Sequence, residues 1–335
     1  METDRKRMSE YFSSSAEHID MPSRVYHYCS VETFFKMIST SSIRLSNIAK
    51  SNDSEELIYI KPFLCQVVKQ MTLIYNNMLP KDYRIAENTI DYFIDESFNE
   101  LSKSYYVACF SQERSLLSQW ARYGENAMGI SIGFNTDEFV RLQVSPYTGF
   151  VFGKIVYDTS QIGQVLENIF KKEIEPSWIN GNDSYNQSLV INCISSIVST
   201  MSYYSALYKN PFFLEEREWR LIYNPFGRIR KIKDSYRFLD RINDINQDNV
   251  IVQGFKRKSI ESEYRNHDIC SYVDLDFSLI KQSLIKEIII GPASKLDIYD
   301  KDLIMFLNSN GYTITDFEGD GTVKVTKINA PYRPS

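Results

Sequence analysis

Residues 105–134 read YYVACFSQERSLLSQWARYGENAMGISIGF, and this stretch decides the fold class. Tyr105–Ser111 combines aromatic, β-branched and small apolar residues, which favours a β-strand. Leu116–Tyr123 has apolar residues at helical spacing, and Gly124 follows it as glycine commonly follows a helix. Met128–Phe134 alternates large apolar and small residues, as a strand does. The stretch therefore predicts a strand, a short helix and a second strand.

Further elements flank this stretch in an irregular order. Toward the N-terminus the patterns predict a strand at 24–28, a helix at 31–39, a strand at 41–46 and mainly helical structure at 57–102, broken near Pro80. Toward the C-terminus they predict strands at 153–157, 218–223, 271–276, 286–290, 313–317 and 322–326, and helices at 161–175, about 184–208 and about 298–309.

The order of these elements predicts the domain organisation. Strands and helices do not alternate regularly, and no GxGxxG or GxxxxGK(S/T) sequence occurs, which disfavours Rossmann and P-loop folds. We therefore expect a single α+β domain over residues 21–335, with a mixed sheet core and helical insertions at about 57–102 and 161–208. Residues 1–20 are polar and rich in serine, which predicts a flexible lead-in.

Composition excludes several classes of protein. The 335 residues are 43% hydrophobic and 24% charged, which are globular proportions. The formal net charge of −5 argues against a protein whose main task is binding nucleic-acid backbone. The five cysteines form no CxxC pair, and no apolar run approaches the roughly 20 residues of a membrane span. We expect a cytoplasmic protein without membrane association.

His27 is the one histidine of the three that lies inside a predicted strand. On the two-residue period of a strand it shares a face with Val25 and Cys29 and faces away from Tyr26 and Tyr28. One interpretation is a hydrogen-bonded core histidine, and the other is a residue that orients a ligand at the strand end. A single histidine without further ligands at suitable spacing does not make a metal site, so we expect no metal.

An acidic turn precedes the predicted strand at 218–223. Glu216, Glu218 and Arg220 share one face at a period of two, which is unusual for a strand that enters a core. A structural Glu–Arg pair is one interpretation, and a carboxylate at the mouth of a sheet cleft is the other. We favour Glu218 as the substrate-facing acid because the strand holds it rigidly. Glu216 would assist it, or pair with Arg220 or Lys209.

The turn at 52–56 reads NDSEE and leads into the next predicted helix. Asn52 or Asp53 suits the N-cap position, and Glu56 suits the positive first turn of a helix. Plain capping is the simpler interpretation, while a functional interpretation directs at least one of these residues into the site.

The order of short motifs resembles that of a known family. The motifs are YHYCS at 26–30, SIRLS at 42–46, NDSEE at 52–56, ACFS at 108–111, QWARYG at 119–124, MGISI at 128–132, EREWR at 216–220 and KEIIIGP at 286–292. Together they resemble a bacterial family known as domain of unknown function 2971, over about residues 25–310.

More distantly, the element order resembles the ADP-ribosyltransferase fold, in the branch that uses a histidine, a tyrosine and a glutamate. This resemblance implies His27 as the strand histidine, Trp120 or Tyr123 as the stacking aromatic residue, and Glu218 or Glu216 as the catalytic acid. The further cofactor-binding residues that it implies are Tyr28, Ser30, Arg44, Ser46, Phe110, Ser111 and Arg122, with Arg44 or Arg122 at the pyrophosphate. We expect His27 and the Glu216–Glu218 pair to line one pocket.

The implied function is NAD-dependent ADP-ribosyl transfer to a protein or nucleic acid, in an intracellular toxin or an antiphage defence effector. Nicotinamide leaves the ribose through an oxocarbenium-like transition state, which a fixed carboxylate stabilises. One alternative is a non-catalytic nucleotide-binding or protein-interaction module on the same fold. The other is a nuclease in which Glu216, Glu218, Asp53 and Glu56 surround a divalent ion.

Overall fold

The structure is a computed structural model. It describes residues 21–50, 57–77, 81, 84–101, 105–144, 149–158, 195, 198, 205–225, 228–232, 235–239, 250–265, 267–315 and 321–330. The predictions for residues 1–20, for the turn at 52–56 and for the helix at 161–175 lie outside the described residues, as does most of the helix predicted at 184–208.

The described elements follow one another in a mixed order. The helices are α1 (Val31–Thr40), α2 (Lys61–Asn76), α3 (Glu87–Leu101), α4 (Leu117–Arg122), α5 (Thr136–Arg141), α6 (Lys281–Leu284) and α7 (Lys301–Ser309). The strands are β1 (Arg24–Cys29), β2 (Ser42–Asn47), β3 (Tyr106–Ser111), β4 (Ile130–Asn135), β5 (Phe150–Lys154), β6 (Glu218–Tyr223), β7 (Arg228–Ile232), β8 (Ser235–Leu239), β9 (Val250–Val252), β10 (Phe255–Arg265), β11 (Asp268–Asp276), β12 (Ile285–Ile290), β13 (Thr313–Thr315) and β14 (Thr322–Lys327).

The chain divides into two compact units. The first comprises Met1–Asp20, Ile48–Tyr105 and Val156–Phe212, and the second comprises Met21–Asn47, Tyr106–Ile155 and Phe213–Ser335. In the first unit, α2 and α3 are joined by an ion pair between Lys69 and Asp91 at 2.7 Å. The single-domain organisation expected from the sequence stays a prediction.

The second unit is built around a mixed sheet, so the chain is α+β. The hydrogen-bonded order is β13-β14-β12-β4-β1-β3-β2-β11-β10-β9, and β6 pairs with both β3 and β5. Strands β12, β14 and β13 pair in parallel, while the other ladders of this sheet are antiparallel. A separate hairpin consists of β7 and β8.

One face of this sheet carries the main hydrophobic core. Val25, Ile132, Phe110 and Leu221 are buried there on four neighbouring strands. Helix α1 packs on the same core through Phe34, Met37 and Ile38, which recur at helical spacing along it. We call this the apolar face, and we call the opposite face, which carries Tyr26, Ser111 and Glu218, the polar face.

Strand β3 is shared among three neighbours. It pairs with β6 along its whole length, from Tyr106 to Ser111. Because a strand has only two edges, β1 and β2 divide the other edge between them. β1 pairs there at Ser111, and β2 pairs at Val107 and Tyr106. Between these pairings β1 and β2 diverge beside Cys109, and we call this opening the sheet gap.

Most predicted elements are confirmed within a few residues. The strand expected at 153–157 begins and ends three residues earlier, as β5, because Phe150 and Phe152 form its buried side. The strand expected at 271–276 extends to Asp268 and pairs with β10, which was not predicted. The sequence patterns do not indicate β10, because most of its side chains are polar or half-exposed. At the end of the helix expected at 184–208, Ser205–Leu207 forms a 3-10 turn.

Among the described residues, none of the helices combines the length and the apolar character that crossing a bilayer requires.

Two glycines of β4 and its preceding turn allow close approach to β1, and they provide a graded test of packing. A Cβ on Gly129 would lie 2.2 Å from the carbonyl oxygen of Cys29, whereas one on Gly133 would lie 3.1 Å from Glu287 Cβ and Tyr26 Cε1. We expect Gly129→Ala to lower the free energy of unfolding by about 1–3 kcal/mol and more than Gly133→Ala does, because backbone cannot move aside as side chains can. Urea denaturation of both variants measures this, and equal losses would contradict it.

Candidate functional site

A row of residues crosses the polar face from one strand to the next. The ladder registers align Lys324 of β14, Glu287 of β12, Gly133 of β4, Tyr26 of β1, Ser111 of β3 and Glu218 of β6. Directly opposed residues of neighbouring strands share a face, so these side chains all lie on the polar face. The cross-strand row therefore has a buried carboxylate at Glu218 and a second one at Glu287.

Glu218 is held by a guanidinium from its own strand. Arg220 Nε donates to Glu218 Oε1 at 2.7 Å, and Arg220 Nη2 donates to Oε2 at 3.2 Å. The two residues are 4% and 0% exposed. A two-point contact of this kind fixes the orientation of the carboxylate and compensates its charge. The structural Glu–Arg pair that was one interpretation of the sequence is present, and it joins Arg220 to Glu218 in a buried position.

Glu216 is held by the short helix that follows β3. Arg122 Nη1 of α4 donates to Glu216 Oε1 at 2.9 Å, with the Arg122 side chain half-exposed and the Glu216 side chain buried. Ser111 ties the same segment down, because its hydroxyl donates to the carbonyl oxygen of Glu216 at 2.8 Å. The Ser111 hydroxyl also accepts from the backbone N–H of Glu113 at 3.1 Å. Ser111 thus positions two loops instead of facing solvent.

The start of β6 is conformationally constrained. Arg217 adopts a positive φ of 45°, a backbone conformation that residues other than glycine seldom adopt. Its carbonyl oxygen accepts from the N–H of Gln112 at 2.9 Å, and its guanidinium pairs with Glu113. These contacts hold the loops after β3 and before β6 together, so both carboxylates of the acidic turn sit on a rigid support.

The aromatic residues divide into one buried residue and one exposed residue. Trp120 is 1% exposed and packs edge-on against Tyr28, with ring centroids 4.8 Å apart. Its Nε1 donates to Ser115 Oγ at 3.1 Å. Tyr123 at the end of α4 is 48% exposed. Of these two residues, only Tyr123 offers a ring that a ligand can reach.

Tyr28 is used to anchor the loop before α4. Its hydroxyl donates to the carbonyl oxygen of Glu113 at 2.7 Å and accepts from the N–H of Leu116 at 3.0 Å. Burial raises the pKa of Tyr28, which keeps the phenol protonated. The hydroxyl of Tyr28, which was predicted to bind a cofactor, is therefore engaged in hydrogen bonds within the protein.

His27 lies at the sheet gap. Its Nδ1 is 2.9 Å from the carbonyl oxygen of Cys109 and, as the donor, satisfies a group that a ladder partner would otherwise bind. Burial lowers the pKa of His27 below its ordinary value of 6.5, while the bond to Cys109 opposes this shift. The ring packs edge-on against Phe110, with centroids 5.9 Å apart. In the neutral ring, Nε2 carries a lone pair and joins no other described residue in a hydrogen bond.

The register does not bring His27 and Glu218 together. Tyr26, the neighbour of His27, pairs with Ser111, which pairs with Glu218. His27 therefore points to the apolar face, where Phe110 lies, and Glu218 points to the polar face. Their strands are two spacings apart, roughly 10 Å. The pocket that we expected them to share is not formed by this arrangement.

The remaining predicted binding residues have other surroundings. Arg44 pairs with Glu263 at 2.6 Å and Asp274 at 3.1 Å, and its guanidinium lies over the ring of Tyr272. Ser30 caps α1 by accepting from the N–H of Thr33. The carboxylates of Glu263 and Asp274 therefore compensate the positive charge of Arg44, which was expected to hold a pyrophosphate.

Phe110 and Ser46, which were also predicted to bind a cofactor, differ in their burial. Phe110 is part of the buried core of the apolar face, in contact with the rings of Phe134 and Phe139, so it packs the sheet rather than facing solvent. Ser46 is half-buried beside Val107, where β2 pairs with β3. Ser46 thus lies at the edge of the sheet gap, where β2 leaves β3.

Four predicted residues do not enter this description of the second unit. Asn52, Asp53 and Glu56 lie outside the described residues. Lys209 belongs to the first unit, where it is buried and its N–H donates to the carbonyl oxygen of Val156. The predictions that concern these residues remain predictions.

A third buried carboxylate of this face was missed by sequence reasoning. Glu287 is 2% exposed and accepts from Arg114 Nε at 2.9 Å and Nη2 at 2.7 Å. Tyr26 donates to its other oxygen at 3.4 Å, and Arg24 Nη1 lies 3.7 Å from that oxygen. Burial and the nearby Glu287 carboxylate both raise the pKa of Tyr26. The available signal was the single acidic residue of β12, a strand whose other residues are four isoleucines and Lys286.

The carboxylates of the polar face bear on the nuclease alternative. Glu216 and Glu218 each carry a guanidinium within hydrogen-bond distance. Within the part of the chain that is described, no three acidic, histidine or cysteine side chains are grouped as metal ligands. A divalent ion at Glu218 would have to displace a fully buried arginine.

The comparison with protein families bears on the segment that contains α4 and the acidic turn. Residues 119–221 match the model of a family described as Protein of unknown function (DUF2971). The match confirms the predicted family resemblance over a segment that includes Trp120, Arg122, Glu216 and Glu218. No curated protein and no solved structure matches the chain significantly.

The two aromatic residues of α4 and its C-cap are expected to differ in their effect on stability. Trp120→Ala removes a large ring from a buried cluster and is expected to lower the free energy of unfolding by about 3–5 kcal/mol. Tyr123→Ala removes a half-exposed ring and is expected to cost less than about 1 kcal/mol. Denaturant unfolding of both variants checks this. Equal stability of Trp120→Ala and the unmodified protein would show that the ring is not structural.

The lowered pKa of His27 predicts a pH dependence of stability. The folded state binds a proton at His27 less readily than the unfolded state, so protonation favours unfolding. The contribution of His27 is therefore complete above pH 6.5 and is lost as the pH falls below that value. We expect the loss of unfolding free energy between pH 7.5 and pH 5.5 to be smaller in His27→Gln than in the unmodified protein. His267→Gln, which alters an exposed histidine, is the control and should retain the full loss.

Proposed function

We propose that the second unit binds NAD and transfers its ADP-ribose group, with the reacting centre on the polar face where β3 ends and β6 begins. The observation that carries this proposal is the fixed carboxylate of Glu218, held at two points by Arg220. An oxocarbenium-like transition state develops positive charge on the ribose. A carboxylate that is already ionised and oriented stabilises this charge without reorganising.

The transfer would proceed at the ribose carbon that bears nicotinamide. The bond from C1′ to the nicotinamide nitrogen breaks, and its electron pair leaves with nicotinamide and neutralises the charge of the ring. An oxygen or nitrogen of the acceptor forms the new bond to C1′ and releases its proton. Glu216, two residues from Glu218, is the group proposed to take that proton. With water as the acceptor, the product is free ADP-ribose.

Two residues of α4 and its C-cap are proposed to bind the substrate. Tyr123 is exposed and adjoins Arg122 in the chain, so its ring suits stacking against nicotinamide. Arg122 is half-exposed while it holds Glu216, and the unused edge of its guanidinium suits a phosphate oxygen. Trp120 would act indirectly, by packing α4 against Tyr28.

The proposal departs from the ADP-ribosyltransferase pattern at the first strand. On the face that carries Glu218, β1 presents Tyr26 and Tyr28 instead of His27. In the ADP-ribosyltransferase pattern the strand histidine binds the adenosine ribose, so here another residue would have to bind it. We propose His27 as a structural residue of the sheet gap, where its ring supports the divergence of β1 from β3.

The alternative of a non-catalytic nucleotide-binding module is favoured by one observation. Glu218 is only 4% exposed and its charge is compensated by Arg220, which is also what a structural ion pair looks like. In that case the ligand would meet Arg122 and Tyr123 without being cleaved. Binding without release of nicotinamide is the outcome that distinguishes this alternative.

The direct test is to incubate the purified full-length chain with NAD, with and without cell extract, and to measure the nicotinamide released. We expect release by the unmodified protein and a decrease of about 100-fold or more in Glu218→Gln, in line with other electrostatic sites. Glu218→Gln removes the negative charge that compensates the buried guanidinium of Arg220, which is destabilising. The double variant Glu218→Leu/Arg220→Met removes both charges, and is also expected to be inactive while remaining folded.

Glu216 has a closely matched control on α5. Glu138 is buried to the same extent and pairs with the half-exposed Arg141 at 3.0 Å, as Glu216 pairs with Arg122. Glu216→Gln is expected to slow nicotinamide release by about tenfold or more, whereas Glu138→Gln should leave the rate unchanged. Equal rates for folded Glu218→Gln and the unmodified protein would overturn the proposed reaction.

A further inference from the structure

A second charged group lies at the other end of the cross-strand row, around Glu287. Arg114 and Arg24 contact this single buried carboxylate, and Lys324 is its ladder partner on β14. We call the four residues the Arg114 cluster. Arg114 and Lys324 alone exceed the Glu287 carboxylate by one positive charge. The Arg114 side chain is 41% exposed, whereas the Glu287 side chain beneath it is 3% exposed. The Arg114 guanidinium therefore faces solvent, whereas the Glu287 carboxylate does not.

Arg114 is oriented by contacts that use only part of its guanidinium. Nε and Nη2 donate to Glu287 Oε1, and Nη2 also donates to Thr326 Oγ1 at 2.6 Å. Nη1 forms no hydrogen bond with another described residue. Because the guanidinium is already held in place, a ligand that binds Nη1 loses little side-chain entropy in ordering it.

Lys324 supplies a second donor on the same face. It is the ladder partner of Glu287 on β14, and a ladder partner lies about 5 Å away between Cα atoms. Thr326, which contacts Arg114, is two residues further along the same strand and shares its face. The half-buried Lys324 side chain forms no ion pair or hydrogen bond with the rest of the described chain. Lys324 and Arg114 thus converge on one region of the polar face.

We infer that the Arg114 cluster is a binding site for a phosphate group. A guanidinium that offers a free N–H₂ group beside an ammonium matches the several acceptor oxygens and the negative charge of a phosphate. The buried Glu287 carboxylate orients Arg114 while leaving the cluster with a net positive charge. Gly133, next to Glu287 in the row, adds no side chain above the sheet at this place.

The position of the site separates it from the reacting centre. Glu287 and Glu218 are four strand spacings apart in the cross-strand row, roughly 19 Å. The phosphate is either one carried by the nucleotide that binds the polar face or a phosphodiester of an acceptor nucleic acid. Both sources share the same chemistry, and the inference requires no reaction at Glu218.

The test uses inorganic pyrophosphate as the probe, with the full-length chain and isothermal titration calorimetry at low salt. We expect binding to weaken about tenfold or more in Lys324→Gln and in Arg114→Gln. Lys324→Gln breaks no hydrogen bond or ion pair between described residues, so its fold is expected to persist even where Arg114→Gln is less stable. Lys36→Gln removes one positive charge from α1, which packs on the apolar face, and should bind as the unmodified protein does.

Absence of pyrophosphate binding, or equal affinity in Lys324→Gln and the unmodified protein, would overturn the inference. Titrations with ADP-ribose and with a short single-stranded oligonucleotide identify the source, because the ligand whose affinity falls in the same two variants is the one that uses the site. Loss of pyrophosphate binding in these variants together with no nicotinamide release from NAD would leave the phosphate site in place and reject the proposed reaction.

Discussion

Strand β3 has only two edges, and the polar face is organised by how three neighbouring strands share them. β6 occupies one edge from Tyr106 to Ser111, so β1 and β2 divide the other. Their divergence exposes Cys109 in the middle of a sheet and leaves its carbonyl oxygen to His27. At Ser111, where β1 and β6 both pair, the register aligns Gly133 and the polar residues of five other strands into one row.

Compensation of buried charge is the second constraint on this face. An isolated carboxylate in a protein interior costs several kcal/mol, and three are buried here beside guanidinium groups. Glu218 finds its partner two residues away on its own strand. Glu216 and Glu287 depend on arginines that are carried by α4 and by the loop before it. The conformation of residues 112–122 therefore decides whether two of the three carboxylates can be buried.

The same loop relates the two proposed sites to each other. Tyr28 and Ser111 anchor it through the backbone of Glu113, and Arg114 and Arg122 extend from it toward opposite ends of the cross-strand row. A ligand that binds at one end therefore contacts a segment that also supports the other. This arrangement gives a physical basis for coupling between a phosphate-binding group and the acidic turn, without requiring movement of the sheet.

Local patterns along the chain were sufficient to predict most strands and helices, the α+β class and the pairing of Glu218 or Glu216 with an arginine. These features depend on side-chain periodicity and on neighbours one or two residues away. The burial of Trp120, the separation of His27 from Glu218 and the contact of Glu287 with Arg114 could not be predicted in this way. Each of them depends on which strands pair and in which register, because a shift of one residue moves a side chain to the opposite face. Register is a property of strands far apart in the chain, and only the tertiary structure decides it.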